Sequence, residues 1–290
     1  MNKIKKLTTL RKMLIIPFID FKPVSVLDIP KILMNSFFYD LDALLRVFLT
    51  SANLKIDWHK IGNPRAPFGC KIKTRYKGVP LNFEIRPNSD DFYFLKPKYE
   101  EDYLEFFSPK KGDIVLDVGS HVGRYTCYSG KLVGEKGKVI SIEANPYNYE
   151  QLLRNIRLNE LEDVVYAYNF VASDINGFAE ITIPKDHGRT SLMNDRVFGK
   201  KIRVKSVRLE DLLNKHDIEN INWMKIDVEG AEIRVLKGLG SYLNKIENIL
   251  IEVSSENEMD FLGIMKKYKF YVKPLLRYSE QIYYFAHKEL

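Results

Sequence analysis

The chain has 290 residues, of which 45% are hydrophobic and 29% charged, and these fractions exclude a disordered, collagen-like or coiled-coil protein. Two cysteines, Cys70 and Cys127, are too few for a disulfide framework or a four-cysteine zinc site, and they fit a reducing, cytoplasmic compartment. The net charge of +7 is unevenly spread: residues 1–110 hold 19 Lys and Arg against 12 Asp and Glu, while residues 111–290 hold 26 against 26.

In chain order, the first 13 residues carry Lys3, Lys5, Lys6, Arg11 and Lys12 ahead of the apolar stretch LIIPFI at 14–19. That stretch is too short for a membrane span or a signal-peptide core, and no small-residue cleavage site follows it. A solvated basic face is the simple reading; a peripheral membrane contact through residues 1–50 is the alternative. Residues 29–50 have apolar residues at three- and four-residue spacing and predict a helix. Residues 69–76 and 79–86 predict a hairpin turning at Lys77-Gly78. Residues 90–107 are aromatic-rich and predict helix after Pro97, and the turn Ser108–Gly112 marks a boundary. The organisation expected is therefore a helical region at 1–67, a hairpin and entry segment at 68–109, and a main domain at 110–290.

From residue 110 the pattern changes. Apolar runs at 114–119, 138–144, 164–172, 222–227 and 247–253 mostly alternate with predicted helices near 123–133, 146–159, 230–239 and 257–268. Short, continuously apolar runs separated by helices predict a doubly wound α/β domain, with a mostly parallel sheet covered on both faces. Two more strands, at 270–275 and 281–287, close the chain, and the insert 178–207 reads as an edge strand pair with a polar loop at 185–199.

Asp117-Val118-Gly119-Ser120-His121-Val122-Gly123 falls where the first of these strands meets its helix. Such a loop lets a ligand approach the backbone and the helix amides. The second strand ends at Glu143, where a carboxylate suits the two hydroxyls of a ribose. NAD and S-adenosylmethionine share that geometry. The glycine spacing here is G-x-x-x-G rather than G-x-G-x-x-G. Asp117 at the strand tip would also repel a pyrophosphate and suit the cationic ammonium and sulfonium end of S-adenosylmethionine. The reading is therefore an S-adenosylmethionine site, with a NAD oxidoreductase as a distant alternative.

VLDVGSHVGRYT at 115–126, IEANP at 142–146 and KIDVEGAE at 225–232 together resemble the FkbM family of S-adenosylmethionine-dependent methyltransferases. The segments SDDFYFLKPKYEEDY at 89–103, ASDING at 172–177 and HGRTSLM at 187–193 fit the same resemblance, which covers about residues 68–275. It implies a Rossmann-like class I methyltransferase fold and methyl transfer to a hydroxyl of a sugar, glycan or secondary metabolite. Asp117, Gly119, Ser120 and Gly123 would hold the methionine end of the cofactor and Glu143 the ribose. Asn145 and the Val171-Ala172 turn would lie near the adenine.

A sugar hydroxyl is a poor nucleophile and benefits from a general base within reach. Asp227, at the end of a strand, is the first candidate. Lys225 is due to fall on the same side of that strand, and an ion pair between them would weaken Asp227 as a base. His187 is the rival base, and Arg189, Ser191 and Glu229 are candidate acceptor contacts. No resident metal is called for; Asp227 and Glu252 are the pair that would hold one. The alternatives are a nucleic-acid methyltransferase using the basic N-terminal third, although nucleic acid is not the expected partner, and a non-catalytic cofactor- or membrane-binding module.

Overall fold

Lys77 and Gly78 both adopt positive φ, 46° and 85°, the turn conformation whose twist matches that of two antiparallel strands. They join β2 (Cys70–Tyr76) to β3 (Val79–Ile85), and β1 (Lys22–Pro23) adds to the other edge of β2. The computed structural model describes residues 21–51, 65–184, 199–277 and 280–288; Trp58 and His59 fall outside them. The chain divides into two compact units, residues 1–100 and 101–290.

In the first unit, period-2 alternation in β2 buries Cys70, Ile72, Thr74 and Tyr76 and exposes Lys71, Lys73 and Arg75. The long helix α1 (Ile29–Ser51) is tied to this sheet by polar side chains. Asn35 donates through Nδ2 to the Phe68 carbonyl at 2.8 Å and accepts the Phe68 amide at 3.0 Å. Asp28, just ahead of the helix, accepts the Lys71 amide at 3.1 Å and both the amide and the hydroxyl of Ser25. The short helix α2 (Asp91–Phe94) lies before Pro97, in addition to the helix expected after it at Glu101–Leu104, and is anchored by a two-pronged Arg86–Asp91 ion pair.

The second unit contains α3 (Glu101–Leu104), β4 (Ile114–Val118), α4 (Arg124–Val133), β5 (Lys138–Ile142), α5 (Pro146–Leu158) and β6 (Val165–Tyr168). It continues with β7 (Val171–Ser173), β8 (Gly177–Pro184), β9 (Gly199–Arg208), α6 (Leu209–Lys215), β10 (Ile221–Ile226) and α7 (Glu232–Gly238). The chain closes with β11 (Ile246–Ser254), α8 (Glu258–Lys267), β12 (Phe270–Arg277) and β13 (Gln281–Lys288). A seven-stranded sheet runs in the order β12-β13-β11-β10-β4-β5-β6. All its strands point one way except β13, which is antiparallel to both neighbours. Strands β4 and β10 are neighbours, and the chain winds outward from them in both directions. Their carboxyl ends are the switch point where a doubly wound sheet opens a crevice.

The run 164–172 does not form one strand. It breaks at Asn169-Phe170, and β7 leaves the main sheet to pair parallel with β9, which also pairs antiparallel with β8. The inserted strand pair thus belongs to a small sheet of its own, packed around Val171, Ile181, Ile183 and Val204. No helix among the described residues is long and apolar enough to cross a membrane.

Burial would raise the Asp28 carboxyl, but the bonds from Lys71 and Ser25 and the charge of Lys31 hold it below its ordinary value of 3.8. A lowered carboxylate stabilises the fold above that ordinary value, and the contribution fades as pH falls through the folded value. Asp28→Ala is predicted to lose about 1–3 kcal/mol of stability at neutral pH, because two part-buried backbone amides lose their acceptor. Urea titrations across the acid range are the check: the difference from wild type should shrink as pH falls below 3.8.

Candidate active site

The loop after β4 is set by how closely two strand ends approach. Gly119 has φ +84°, and a Cβ placed on it would lie 1.8 Å from the Asp227 carbonyl oxygen. The Asp227 amide in turn donates to the Val118 carbonyl at 3.0 Å. Gly123 has φ +94° and begins α4, where a Cβ would meet Leu152 Cδ1 at 2.6 Å. At residue 119 only glycine meets both the backbone angle and the space, and at residue 123 the positive φ favours it.

Hydroxyls and amides hold the loop between those glycines. The amides of Gly119 and Ser120 both donate to the Ile142 carbonyl, at 2.9 and 3.0 Å. Ser120 Oγ donates to the Asp117 carbonyl at 2.9 Å and accepts the Ile142 amide at 3.1 Å. Glu143 reaches back from the end of β5: one oxygen accepts the His121 amide at 2.7 Å, the other the Asn145 amide at 2.8 Å. One carboxylate therefore clamps the glycine loop to the turn beginning α5.

Asp117 lies beneath this loop rather than at its mouth. In the parallel register Ser141, Asp117 and Lys225 stand side by side across β5, β4 and β10, on a face covered by α4. Asp117 is fully buried; Thr126 of α4 donates to its Oδ2 at 2.6 Å, and Oδ1 has no hydrogen-bond partner. Ser141 Oγ sits 2.9 Å from Thr126 Oγ1 and 2.7 Å from Ser120 Oγ. Burial pushes the Asp117 carboxyl above its ordinary range, against the pull of the Lys225 ammonium and the Thr126 hydroxyl.

Lys225 and Asp227 form the ion pair that strand alternation predicts, Nζ to Oδ2 at 3.1 Å. The ammonium also lies 4.8 Å from the centroid of the Tyr125 ring. The Asp227 side chain keeps 26% of its surface exposed, so of this charged row it is the member open to solvent. Asp227 and Glu252, at the ends of adjacent strands, present carboxylate oxygens within 4.8 Å of each other. Glu229 has φ 49° and accepts from Gln281 at 3.2 Å.

The other predicted positions fall as follows. Asn145 is fully buried and caps α5, accepting the Tyr147 amide at 3.0 Å, with Pro146 at the first helical position. Ala172 sits in β7, not in a turn, with its side chain in the main core. His187, Arg189 and Ser191 lie outside the described residues. Three residues were missed. Thr126 carries the bond to Asp117. Asn169 donates to the carbonyls of Glu143 and Ala144 at 2.9 and 3.0 Å and so fixes the turn after β5. Glu232 is 1% exposed, and it accepts the Gly230 amide and Asn257 Nδ2, both at 2.7 Å, which locks the loop after Asp227. The sequence signal for Glu232 was its place within KIDVEGAE; for Asn169 there was none.

The strand order, the reversed strand near one edge and the glycine loop at the switch point are the frame of the class I methyltransferases. A family model described as the methyltransferase FkbM domain matches residues 117–275, and the chain belongs to that family. Hexuronic acid methyltransferase AglP of Haloferax volcanii is 21% identical, over 68% of this chain and 79% of its own length. Methyltransferase sdnD of Sordaria araneosa is 27% identical, over 55% of this chain and 77% of its own length. Among solved structures, the precorrin-6y C5,15-methyltransferase of Geobacter metallireducens aligns at 10% identity and a TM-score of 0.44, covering 67% of this chain and 91% of that one.

Gly119→Ala is predicted to destabilise the second unit by roughly 3 kcal/mol, since backbone cannot yield to the added methyl as a flexible side chain would. Urea unfolding followed by tryptophan fluorescence measures it. A change below about 1 kcal/mol would mean that the strand ends can part without consequence.

Proposed function

We propose that the chain transfers a methyl group from S-adenosylmethionine to a hydroxyl oxygen of a sugar, glycan or related hydroxylated metabolite. The observation that carries this reading is the Glu143 clamp on the glycine loop. A carboxylate oxygen accepts up to two hydrogen bonds, so the group that bonds the His121 and Asn145 amides retains the chemistry to take a ribose diol. The residues present fit the cofactor: the Glu143 carboxylate stands at the glycine loop at the switch point of the sheet, with the Asp117 carboxyl buried below it.

When bound, S-adenosylmethionine supplies an electrophilic methyl on a sulfonium. The chain's own residues do the rest. Gly119 to Gly123 shape the floor, Ser120 holds it to β5, and Glu143 sets the ribose. Asp227 accepts a hydrogen bond from the acceptor hydroxyl and takes its proton as the new C–O bond forms. Lys225 holds that carboxylate in place, and orientation is the larger part of its contribution. His187 is the rival base. Glu229, Arg189 and Ser191 are assigned to acceptor contacts. The relative named for hexuronic acid supports a sugar-like acceptor. The reading calls for no resident metal, and Asp227 with Glu252 is where one would sit.

Calorimetric titration with S-adenosylmethionine, S-adenosylhomocysteine and NAD is the first test. Binding of both adenosyl compounds and not NAD is expected. Glu143→Ala should weaken that binding by about ten- to a hundredfold, the value of hydrogen bonds to a charged group. Folded protein that binds neither compound would refute the reading. With acceptor turnover in hand, Asp227→Ala should keep its affinity for S-adenosylhomocysteine and lose about 10²–10⁴-fold in kcat. Unchanged kcat would remove Asp227 from the chemistry.

A further inference from the structure

Beneath the glycine loop four side-chain oxygens stand in line: Asp117 Oδ2, Thr126 Oγ1, Ser141 Oγ and Ser120 Oγ, at successive distances of 2.6, 2.9 and 2.7 Å. All four residues are buried, so their hydrogens can be counted. A hydroxyl donates one hydrogen bond and accepts two, and an ionised carboxylate donates none. Ser120 Oγ accepts the Ile142 amide at 3.1 Å and the Ser141 hydroxyl at 2.7 Å, which leaves its own hydrogen for the Asp117 carbonyl at 2.9 Å. The hydrogen of Ser141 is spent on Ser120, so the 2.9 Å contact between Ser141 and Thr126 needs the hydrogen of Thr126. None is left for the 2.6 Å contact between Thr126 and Asp117, and only a proton on Oδ2 can supply it.

An ionised Asp117 makes Thr126 the donor to Oδ2, and the contact between Thr126 and Ser141 then sets lone pair against lone pair. Turning every hydroxyl toward Asp117 does not help, because Ser120 then has no hydrogen for the Asp117 carbonyl. Three hydroxyl hydrogens cannot serve four contacts, whichever way the line runs. The other carboxyl oxygen agrees: Oδ1 is buried without a hydrogen-bond partner, a far smaller cost for a neutral carbonyl oxygen than for a charged one. Of the ionisable groups around Asp117, Lys225 on β10 directs its ammonium to Asp227 at 3.1 Å. The Asp227 charge itself opposes ionisation of Asp117, and burial keeps Cys127 on α4 a neutral thiol. Burial outweighs the pull of Lys225 and raises the Asp117 carboxyl above its ordinary value.

We infer that Asp117 is held in the folded chain as a neutral carboxylic acid, donating from Oδ2 to Thr126 and starting a one-way line of hydrogen bonds through Ser141 to Ser120. Asp117 is on this account a positioning residue, which fixes Ser120 and so ties the glycine loop to β4 and β5. It meets a bound cofactor with no charge of its own, contrary to the expectation from its place at the strand tip, and it leaves Lys225 to Asp227.

The test is infrared difference spectroscopy at pH 7 between wild type and Asp117→Asn, whose side-chain amide supplies the same donor to Thr126. A carboxylic-acid carbonyl band is expected in the wild type and not in the variant, and the subtraction removes any band from the buried Glu232. Ser141→Ala takes one contact from each end of the count, and the band should then disappear at a lower pH. In urea titrations Asp117→Asn should be at least as stable as wild type at pH 7. As pH rises above 3.8 the wild type should lose ground to it by up to about tenfold in the unfolding equilibrium constant per pH unit, because the folded chain keeps a proton that the unfolded chain gives up. No difference band at pH 7 overturns the inference, as does an Asp117→Asn deficit in stability that widens with rising pH. A band whose titration ignores Ser141→Ala overturns the hydroxyl line as its cause. Should Asp117→Asn fail to fold, wild type labelled with ¹³C-aspartate carries the same infrared test. None of these readouts uses the cofactor, so the inference stands or falls apart from the transferase reading.

Discussion

The catalytic unit depends on one close approach. Where a side chain at residue 119 would stand, the Asp227 carbonyl oxygen already sits, 1.8 Å from the position of a Cβ. Strands β4 and β10 are neighbours in the sheet but more than a hundred residues apart in sequence, and this contact brings their ends together with nothing between. The loop after β4 must then rise over the strand ends, which presents its backbone to the crevice at the switch point. Glu143 from β5 and Asn169 from beyond β6 fix the far side of the same crevice. Three strand ends thus meet at the switch point of the sheet.

Beneath the glycine loop lies a row of ionisable side chains that a soluble core would ordinarily avoid. Asp117 is fully buried with one oxygen lacking a partner, next to Lys225, which is shared with the more exposed Asp227. Burying a carboxylate in this way opposes ionisation, and the neighbouring ammonium favours it. The arrangement makes sense as positioning: Lys225, in register with the buried Asp117, holds the more exposed carboxylate of Asp227. Asp227 is held by its backbone against Gly119 and by its side chain against Lys225, which suits a group that orients a hydroxyl.

Much of this was legible in the sequence. Alternating apolar runs and helices gave the doubly wound sheet, and Lys77-Gly78 marked the hairpin. The spacing of Lys225 and Asp227 predicted their ion pair. The direction of Asp117 was hidden because β4 is buried on both faces: every residue from Val115 to Val118 is buried, so period-2 alternation carries no trace of which side a residue takes. Asn145 followed by Pro146 carries the cap signature of a helix start, a local role that accounts for its burial. Asn169 breaks an apolar run, and the divergence of β7 into its own sheet depends on pairing with β9, more than thirty residues away, which no local pattern reports. In α1 the apolar periodicity was plain, but periodicity shows that a helix has two faces and not which of them turns inward.

The most direct test of the account is a crystal structure with S-adenosylhomocysteine bound. The account predicts the ribose hydroxyls on the Glu143 carboxylate and the amino-acid end over the backbone of Gly119 to His121, with Asp227 facing the sulfur side. Ligand bound elsewhere, or at this crevice with Glu143 taking no part, would contradict it.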